Sequence, residues 1–350
     1  MPTLFDPLQL GDLQLPNRII MAPLTRCRAG VERVPNALMA THYEQRATAG
    51  LIISEATVVT PMGIGYADTP GIWSAEQVVG WRLVTKAVHD AGGRIFMQLW
   101  HVGRVSHPLF LNGELPVAPS AIAPQGNVNL VRPEIPYVVP RAIERQEIPD
   151  IVAAYKKGAE NAKSAGFDGV EIHGANGYLL DQFLQDGTNQ RTDDYGGPIE
   201  NRARLMLEAL DAAIGVWGPG RVGLHLAPRA DTHSMRDSNR AATFGYVAEE
   251  AARRGIAFLF AREYVGSDSL GPMLKRVFNG CFIANEGFTQ ESAAEILARG
   301  DADAVSFGKL YIANPDLPKR FALNAPLNPL NPALMFHGGG AAGYTDYPGL

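Results

Sequence analysis

The stretch Val170-Glu171-Ile172-His173-Gly174-Ala175-Asn176-Gly177-Tyr178 decides how this chain reads. Residues 167–172 form a short apolar run suited to a strand, which then gives way to a loop or helix carrying a histidine, an asparagine and a tyrosine. In α/β proteins ligands sit at the carboxyl ends of such strands, where the connecting loops converge. Three neutral hydrogen-bonding groups there imply a site for a polar-headed ligand. His173 and Asn176 are spaced i and i+3, so a helical turn is expected to set both on one face, where they grip one oxygen atom together. A core histidine with a satisfied amide and a packing tyrosine fits the same residues. The nonapeptide alone leaves both readings open.

Outward from it, short β-branched apolar runs alternate with longer amphipathic segments, the pattern of parallel strands joined by crossover helices. Strands are expected at 18–21, 51–56, 94–99, 169–173, 222–226, 257–260, 281–285 and 304–307, the number of an eightfold (β/α)8 TIM barrel. The 149–165 segment shows the helical pattern: Val152, Tyr155, Ala159 and Ala162 make an apolar stripe, with Lys156, Lys157, Glu160 and Lys163 off it. Residues 8–15 alternate around Gly11-Asp12 and read as a small N-terminal hairpin that caps the barrel floor. The connection 102–145 is long and proline-rich and follows the third strand, so it is expected to form a lid or wall over the mouth. No linker divides residues 1–350, and one domain is expected.

The 350 residues are 46% hydrophobic and 19% charged, ample for a large core. A formal charge of -5 with no basic run argues against nucleic acid or an anionic membrane as partner. Cys27 and Cys281 are far apart, without disulfide or metal spacing, and a reducing cytoplasm fits them. No basic-then-apolar leader opens the chain and no apolar stretch reaches membrane-spanning length. A small-molecule ligand and a monomer or weak homo-oligomer are expected.

Two loops suit an anion. After the seventh strand comes Asn285-Glu286-Gly287-Phe288-Thr289, and after the eighth Phe307-Gly308-Lys309-Leu310, offering two glycines for close backbone approach and one cation. Ordinary helix capping also uses such glycines. The dinucleotide pattern G-x-G-x-x-G occurs at Gly218-Gly220-Gly223 and Gly338-Gly340-Gly343, but neither match follows a strand and opens a helix, so no Rossmann unit is expected.

A family resemblance now runs nearly end to end. It is carried by Pro16-Asn17-Arg18-Ile19 with Met21-Ala22-Pro23-Leu24-Thr25-Arg26, then Gly50-Leu51-Ile52-Ile53-Ser54-Glu55-Ala56 and Gln98-Leu99-Trp100-His101-Val102-Gly103-Arg104. The His173 to Tyr178 stretch follows, then Asn189-Gln190-Arg191-Thr192-Asp193, Tyr195-Gly196-Gly197, Glu200-Asn201-Arg202, and Ile312-Ala313-Asn314-Pro315-Asp316-Leu317. In this order they resemble the old yellow enzyme family of ene-reductases, close to N-ethylmaleimide, pentaerythritol tetranitrate and xenobiotic reductases. The resemblance implies non-covalent FMN in the barrel, reduced by NADPH or NADH and reoxidised by an electron-poor alkene in a ping-pong cycle. It implies that Ala22, Pro23, Leu24 and Thr25 line the flavin, that Ala56 and Gln98 face its rings, and that Asn285, Gly287, Gly308 and Lys309 form its phosphate end. His173 and Asn176 would hold the substrate oxygen, Tyr178 would donate a proton, and Tyr66, Trp100 and Tyr344 would shape the substrate pocket. Tyr344 lies near the carboxyl terminus, so that tail is expected to fold back over the site.

The chain departs from the family's pattern in two places. His225 stands where an arginine commonly faces the flavin, which predicts a flavin potential that follows His225 titration unless Arg262 supplies the charge. Lys309 stands where arginine is common, a point charge in place of a bidentate fork, and Glu286 beside it is expected to point away. The rival reading is a phosphate-substrate barrel lyase or Schiff-base aldolase without flavin. It lacks a lysine nucleophile at the end of a middle strand. A metal hydrolase is weaker still, because the eight histidines show no ligand cluster.

Overall fold

Two-residue alternation along eight short strands builds a closed barrel in the computed structural model, which describes residues 1–336 and 340–350. Gly338, in the second dinucleotide-like pattern, lies outside the described residues. The barrel strands are β1 Ile19–Met21, β2 Leu51–Ile53, β3 Ile95–Trp100, β4 Gly169–His173, β5 Val222–Leu226, β6 Phe258–Arg262, β7 Phe282–Asn285 and β8 Ala304–Phe307. Every neighbouring pair is parallel, and the ring closes where β8 pairs with β1 and β2 with β3. All eight expected strands are present.

The barrel interior is written in the pleat. Phe96, Gln98 and Trp100 alternate on β3, Glu171 and His173 on β4, and Phe258, Phe260 and Arg262 on β6. The lower positions pack Ile20, Leu51, Phe96, Phe258 and Ile283 into a floor. Gly169 and Gly223 make room for two of these rings: a Cβ at Gly169 would lie 2.3 Å from Phe96 Cζ, and one at Gly223 2.1 Å from Phe258 Cζ. Higher up the interior turns polar, with Gln98, Glu171 and His225 buried together.

Strands Leu8–Leu10 and Leu13–Leu15 pair antiparallel, and their four leucines join the floor cluster, so the hairpin closes the barrel's amino-terminal end as expected. Gly11 turns it with φ +52, and Asp12 N–H docks on the Gly220 carbonyl at 3.1 Å. The expected helix runs Ile148–Ser164, burying Tyr155, Ala159 and Ala162. The second expected strand stops at Ile53, short of 56, because Glu55 N–H donates to the Tyr43 hydroxyl at 2.9 Å and the chain leaves the ladder. Thr57–Val58 then adds a short parallel strand beside β3. Gly218, Gly220 and Gly223 span a helix end, a 3-10 turn and the start of β5, the reverse of a dinucleotide loop. Among the described residues no helix is long and apolar enough to cross a membrane.

The connection between β3 and β4 carries a 3-10 turn, Pro108–Phe110, and a two-residue parallel pairing of Val117–Ala118 with Arg141–Ala142. The carboxyl-terminal segment also returns to the barrel. Tyr344 is fully buried in it, stacked on His42 at 4.0 Å and flanked by the Arg26 and Arg28 guanidinium groups at 4.9 and 4.8 Å.

Candidate active site

Every predicted site residue except Tyr344 lines one cavity of about 620 Å³ at the carboxyl ends of the strands. Tyr344 anchors the tail from outside it, clamped between His42 and the two arginines. The tail does reach the mouth, but through Met335 and Phe336. The lid expectation holds as well, with Asn129 and Leu130 on the wall.

β4 and β5 run in parallel register with His173 opposite His225, which stacks their rings at 5.2 Å with planes 5° apart. The Tyr178 ring stands edge-on to His173 at 5.1 Å and to Trp100 at 4.9 Å. The helical turn expected to bring His173 and Asn176 together is absent. Asn176 (φ +58) and Gly177 (φ +77) are both left-handed, and the helix begins only at Leu179. Asparagine and glycine are the residues that tolerate this conformation, and a Cβ at Gly177 would meet Met235 Cγ at 2.8 Å.

Arg262 fixes the Asn176 amide. Its Nη1 donates to Asn176 Oδ1 at 2.9 Å, and because a guanidinium only donates, Nδ2 is left as the free donor. Arg262 also pairs with Glu286. The Glu286 carboxylate is thereby taken up by β6, and the charge of Arg262 is matched by it rather than left free beside His225.

Below them Gln98 Nε2 donates to Glu171 Oε2 at 2.6 Å and to His225 Nδ1 at 3.0 Å. With Nδ1 accepting, His225 carries its hydrogen on Nε2, which is buried and has no partner among the described residues. Burial, then the nearby Arg262, depresses His225 to about 3. Without a ligand beside it, the imidazole therefore stays neutral across the neutral range. Burial first, then His225, holds His173 well below the ordinary histidine value, and among the described residues its Nδ1 likewise has no hydrogen-bond partner. Burial pushes the Glu171 carboxyl up to about 8 and the Tyr178 phenol to about 12.

At the opposite end Gly287 (φ +75) follows Glu286 (φ +98), so two successive left-handed residues turn the backbone inward. Gly308 lies so close to Leu24 that a Cβ would come within 2.8 Å of it, and Lys309 opens the short helix Lys309–Ala313. Two glycines and a lysine at this end of the cavity suit an anion. Phe260, Tyr264 and Ser306 also line the cavity and were not singled out from sequence. Extending the β6 alternation two residues past 260 reaches Arg262 as an inward position. Met335 and Phe336 carry no sequence signal, because a tail that docks has no period.

An orphaned N–H at His225, a free amide donor at Asn176, an anion cradle and a long cavity between them fit a planar polar ring with a phosphate tail. The model for the NADH:flavin oxidoreductase / NADH oxidase family matches residues 3–328. A 12-oxophytodienoate reductase 2 of Arabidopsis thaliana is 43% identical, over 99% of this chain and 96% of the relative. The putative 12-oxophytodienoate reductase 2 of Oryza sativa subsp. japonica is 42% identical, over 99% and 94%. Among solved structures, morphinone reductase in complex with tetrahydroNAD superposes with TM-score 0.96 at 49% identity, covering 100% of this chain and 98% of that one. The old yellow enzyme homologue from Zymomonas mobilis gives TM-score 0.96 at 44% identity, covering 99% of each. The barrel thus meets the expectation raised by the sequence resemblance, and the chain belongs to the NADH:flavin oxidoreductase / NADH oxidase family.

Proposed function

We propose that this protein is an FMN-dependent ene-reductase, using NADPH or NADH to reduce electron-poor alkenes such as enones and maleimides, and nitro compounds or nitrate esters as secondary acceptors. The observation that carries the reading is the pair of neutral groups, His173 and Asn176, beside a protonated tyrosine at the mouth of a flavin-family barrel. When bound, FMN supplies the hydride, taken from the nicotinamide and given to the β-carbon of the alkene. His225 Nε2–H and the Gln98 amide would face its polar edge, and Gly287, Gly308 and Lys309 its phosphate.

The protein's own part is electrostatic. As the β-carbon takes hydride, negative charge gathers on the substrate oxygen, where His173 and the Asn176 amide stabilise it more in the transition state than before it. Tyr178, raised to about 12 by burial, holds its proton at neutral pH and delivers it to the α-carbon.

The lyase reading has no support in the lysines: Lys275 is taken up by Asp303 and the Gly280 carbonyl, and Lys309 sits at the anion end. A cytoplasmic location fits the two free cysteines, and a monomer or weak homo-oligomer is our working assembly. The test is spectral. Purified protein should be yellow, its flavin band should bleach under NADPH or NADH without oxygen, and cyclohexenone should restore it. Protein that stays colourless after FMN supplementation sinks the reading.

A further inference from the structure

The Tyr178 hydroxyl ends a hydrogen-bond chain that begins in the lid, and the direction of that chain is set at its far end. The Asn176 backbone carbonyl can only accept, so His233 Nδ1, 2.9 Å from it, carries the hydrogen. Burial keeps His233 below the ordinary histidine value, so its Nε2 presents a lone pair. That lone pair faces Asn129 Nδ2 at 3.0 Å. The same amide nitrogen lies 2.8 Å from the Tyr66 hydroxyl oxygen, and its two hydrogens serve one partner each. Tyr66 therefore accepts on one side. Its own hydrogen has one acceptor in reach among the described residues, the Tyr178 oxygen at 2.9 Å. The hydrogen of Tyr178 is left for the cavity. Flipping the Asn129 amide would set its oxygen against the His233 lone pair, so the arrangement has one self-consistent sense.

We propose that Asn129 is a positioning residue for proton delivery: by donating to both His233 and Tyr66 it makes the chain run toward Tyr178, aiming the Tyr178 proton at the substrate. This rests on the reading of Tyr178 as the acid. In the step the Tyr178 O–H bond breaks and its electron pair stays on oxygen, while the enolate pair forms the new C–H bond at the α-carbon. The phenolate left behind accepts from Tyr66, whose oxygen is in turn held by the Asn129 amide. The lid thereby enters the chemistry, although Asn129 lies outside every motif that carried the family resemblance.

The test uses the FMN-loaded enzyme, reduced photochemically and then mixed anaerobically with cyclohexenone. The Asn129→Asp carboxylate keeps the size of the side chain but only accepts, so it draws the Tyr66 hydrogen to itself and reverses the chain. Reoxidation is expected to slow about 10-fold or more, with a larger solvent deuterium isotope effect. Tyr66→Phe, which removes the last donor while leaving Asn129 itself in place, should reproduce both changes. If Tyr178→Phe reoxidises at the wild-type rate, the acid reading falls and this inference with it. If Tyr178→Phe is slow while Asn129→Asp and Tyr66→Phe are not, the inference alone falls. Slowing in Asn129→Asp without a change in isotope effect would assign Asn129 to lid packing and overturn the proposal.

Discussion

Asn176→Asp probes the oxygen grip with the least disturbance of shape. Asparagine and aspartate are matched in size and both tolerate the left-handed backbone held here at φ +58, so the fold should lose little, within about 0.5 kcal/mol. The Arg262 contact at 2.9 Å survives, since the oxygen it reaches remains an acceptor. What changes is the other terminal atom, from an N–H donor to an oxygen facing the developing charge on the substrate. Loss of one such preorganised donor costs about 2.7–4 kcal/mol, or roughly 100- to 1,000-fold in rate. The ion pair of Arg262 with Glu286 leaves little spare positive charge to mask the new carboxylate. The assay is stopped-flow reoxidation of photoreduced enzyme by cyclohexenone, which leaves the nicotinamide step out of the measurement. Reoxidation within about 3-fold of wild type would refute the assignment of Asn176 as a donor to the reacting oxygen.

Three further outcomes are expected. Glu171→Gln should gain melting temperature relative to wild type as pH rises from about 5 to about 8. The folded carboxyl stays protonated up to about 8 while the unfolded one ionises near its ordinary value, so wild-type stability drains away over that window and the amide's does not; a constant difference in Tm across it refutes the buried neutral acid. Gly169→Ala should destabilise by about 3 kcal/mol, because its methyl would sit 2.3 Å from Phe96 Cζ, against about 1 kcal/mol for Gly255→Ala, where φ is +63 but nothing lies within 4 Å; equal urea midpoints would refute the floor-packing argument. Lys309→Arg should retain FMN modestly more tightly than wild type, since a fork replaces a point charge, and equal dissociation constants by flavin fluorescence would count against Lys309 as a phosphate ligand.

Much of the fold was legible because barrel strands repeat with period two and helices with period 3.6. The alternation of Phe96, Gln98 and Trp100, or of Glu171 and His173, announces which side chains point into the barrel before any coordinate is known. The anion loops were legible for a related reason: glycines directly after the seventh and eighth strands have one topological place to go. Tyr344 was misplaced because an aromatic in a terminal segment has no such constraint. Its motif signals that the tail docks, but not which face of the tail meets the cavity, and the answer depended on three partners, Arg26, Arg28 and His42, more than 300 residues away. His173 and Asn176 were read as neighbours through a helical turn; they are neighbours through a left-handed loop. The spacing was right and the backbone path was not, since Asn-Gly favours that loop as strongly as local pattern favours the helix.

Residue order by itself determined the barrel, its inward-facing residues and the chemistry available at its mouth, because those follow from period, sign and side-chain type along a single strand or loop. Only the tertiary structure decided how those groups are oriented and charged. The free face of the Asn176 amide is chosen by Arg262 from β6, the His225 tautomer by Gln98 from β3, and the sense of the Tyr66–Tyr178 bond by Asn129 from the lid. Hydrogen-bond direction and burial are properties of what surrounds a group in space, and the surroundings here come from segments that no local pattern brings together.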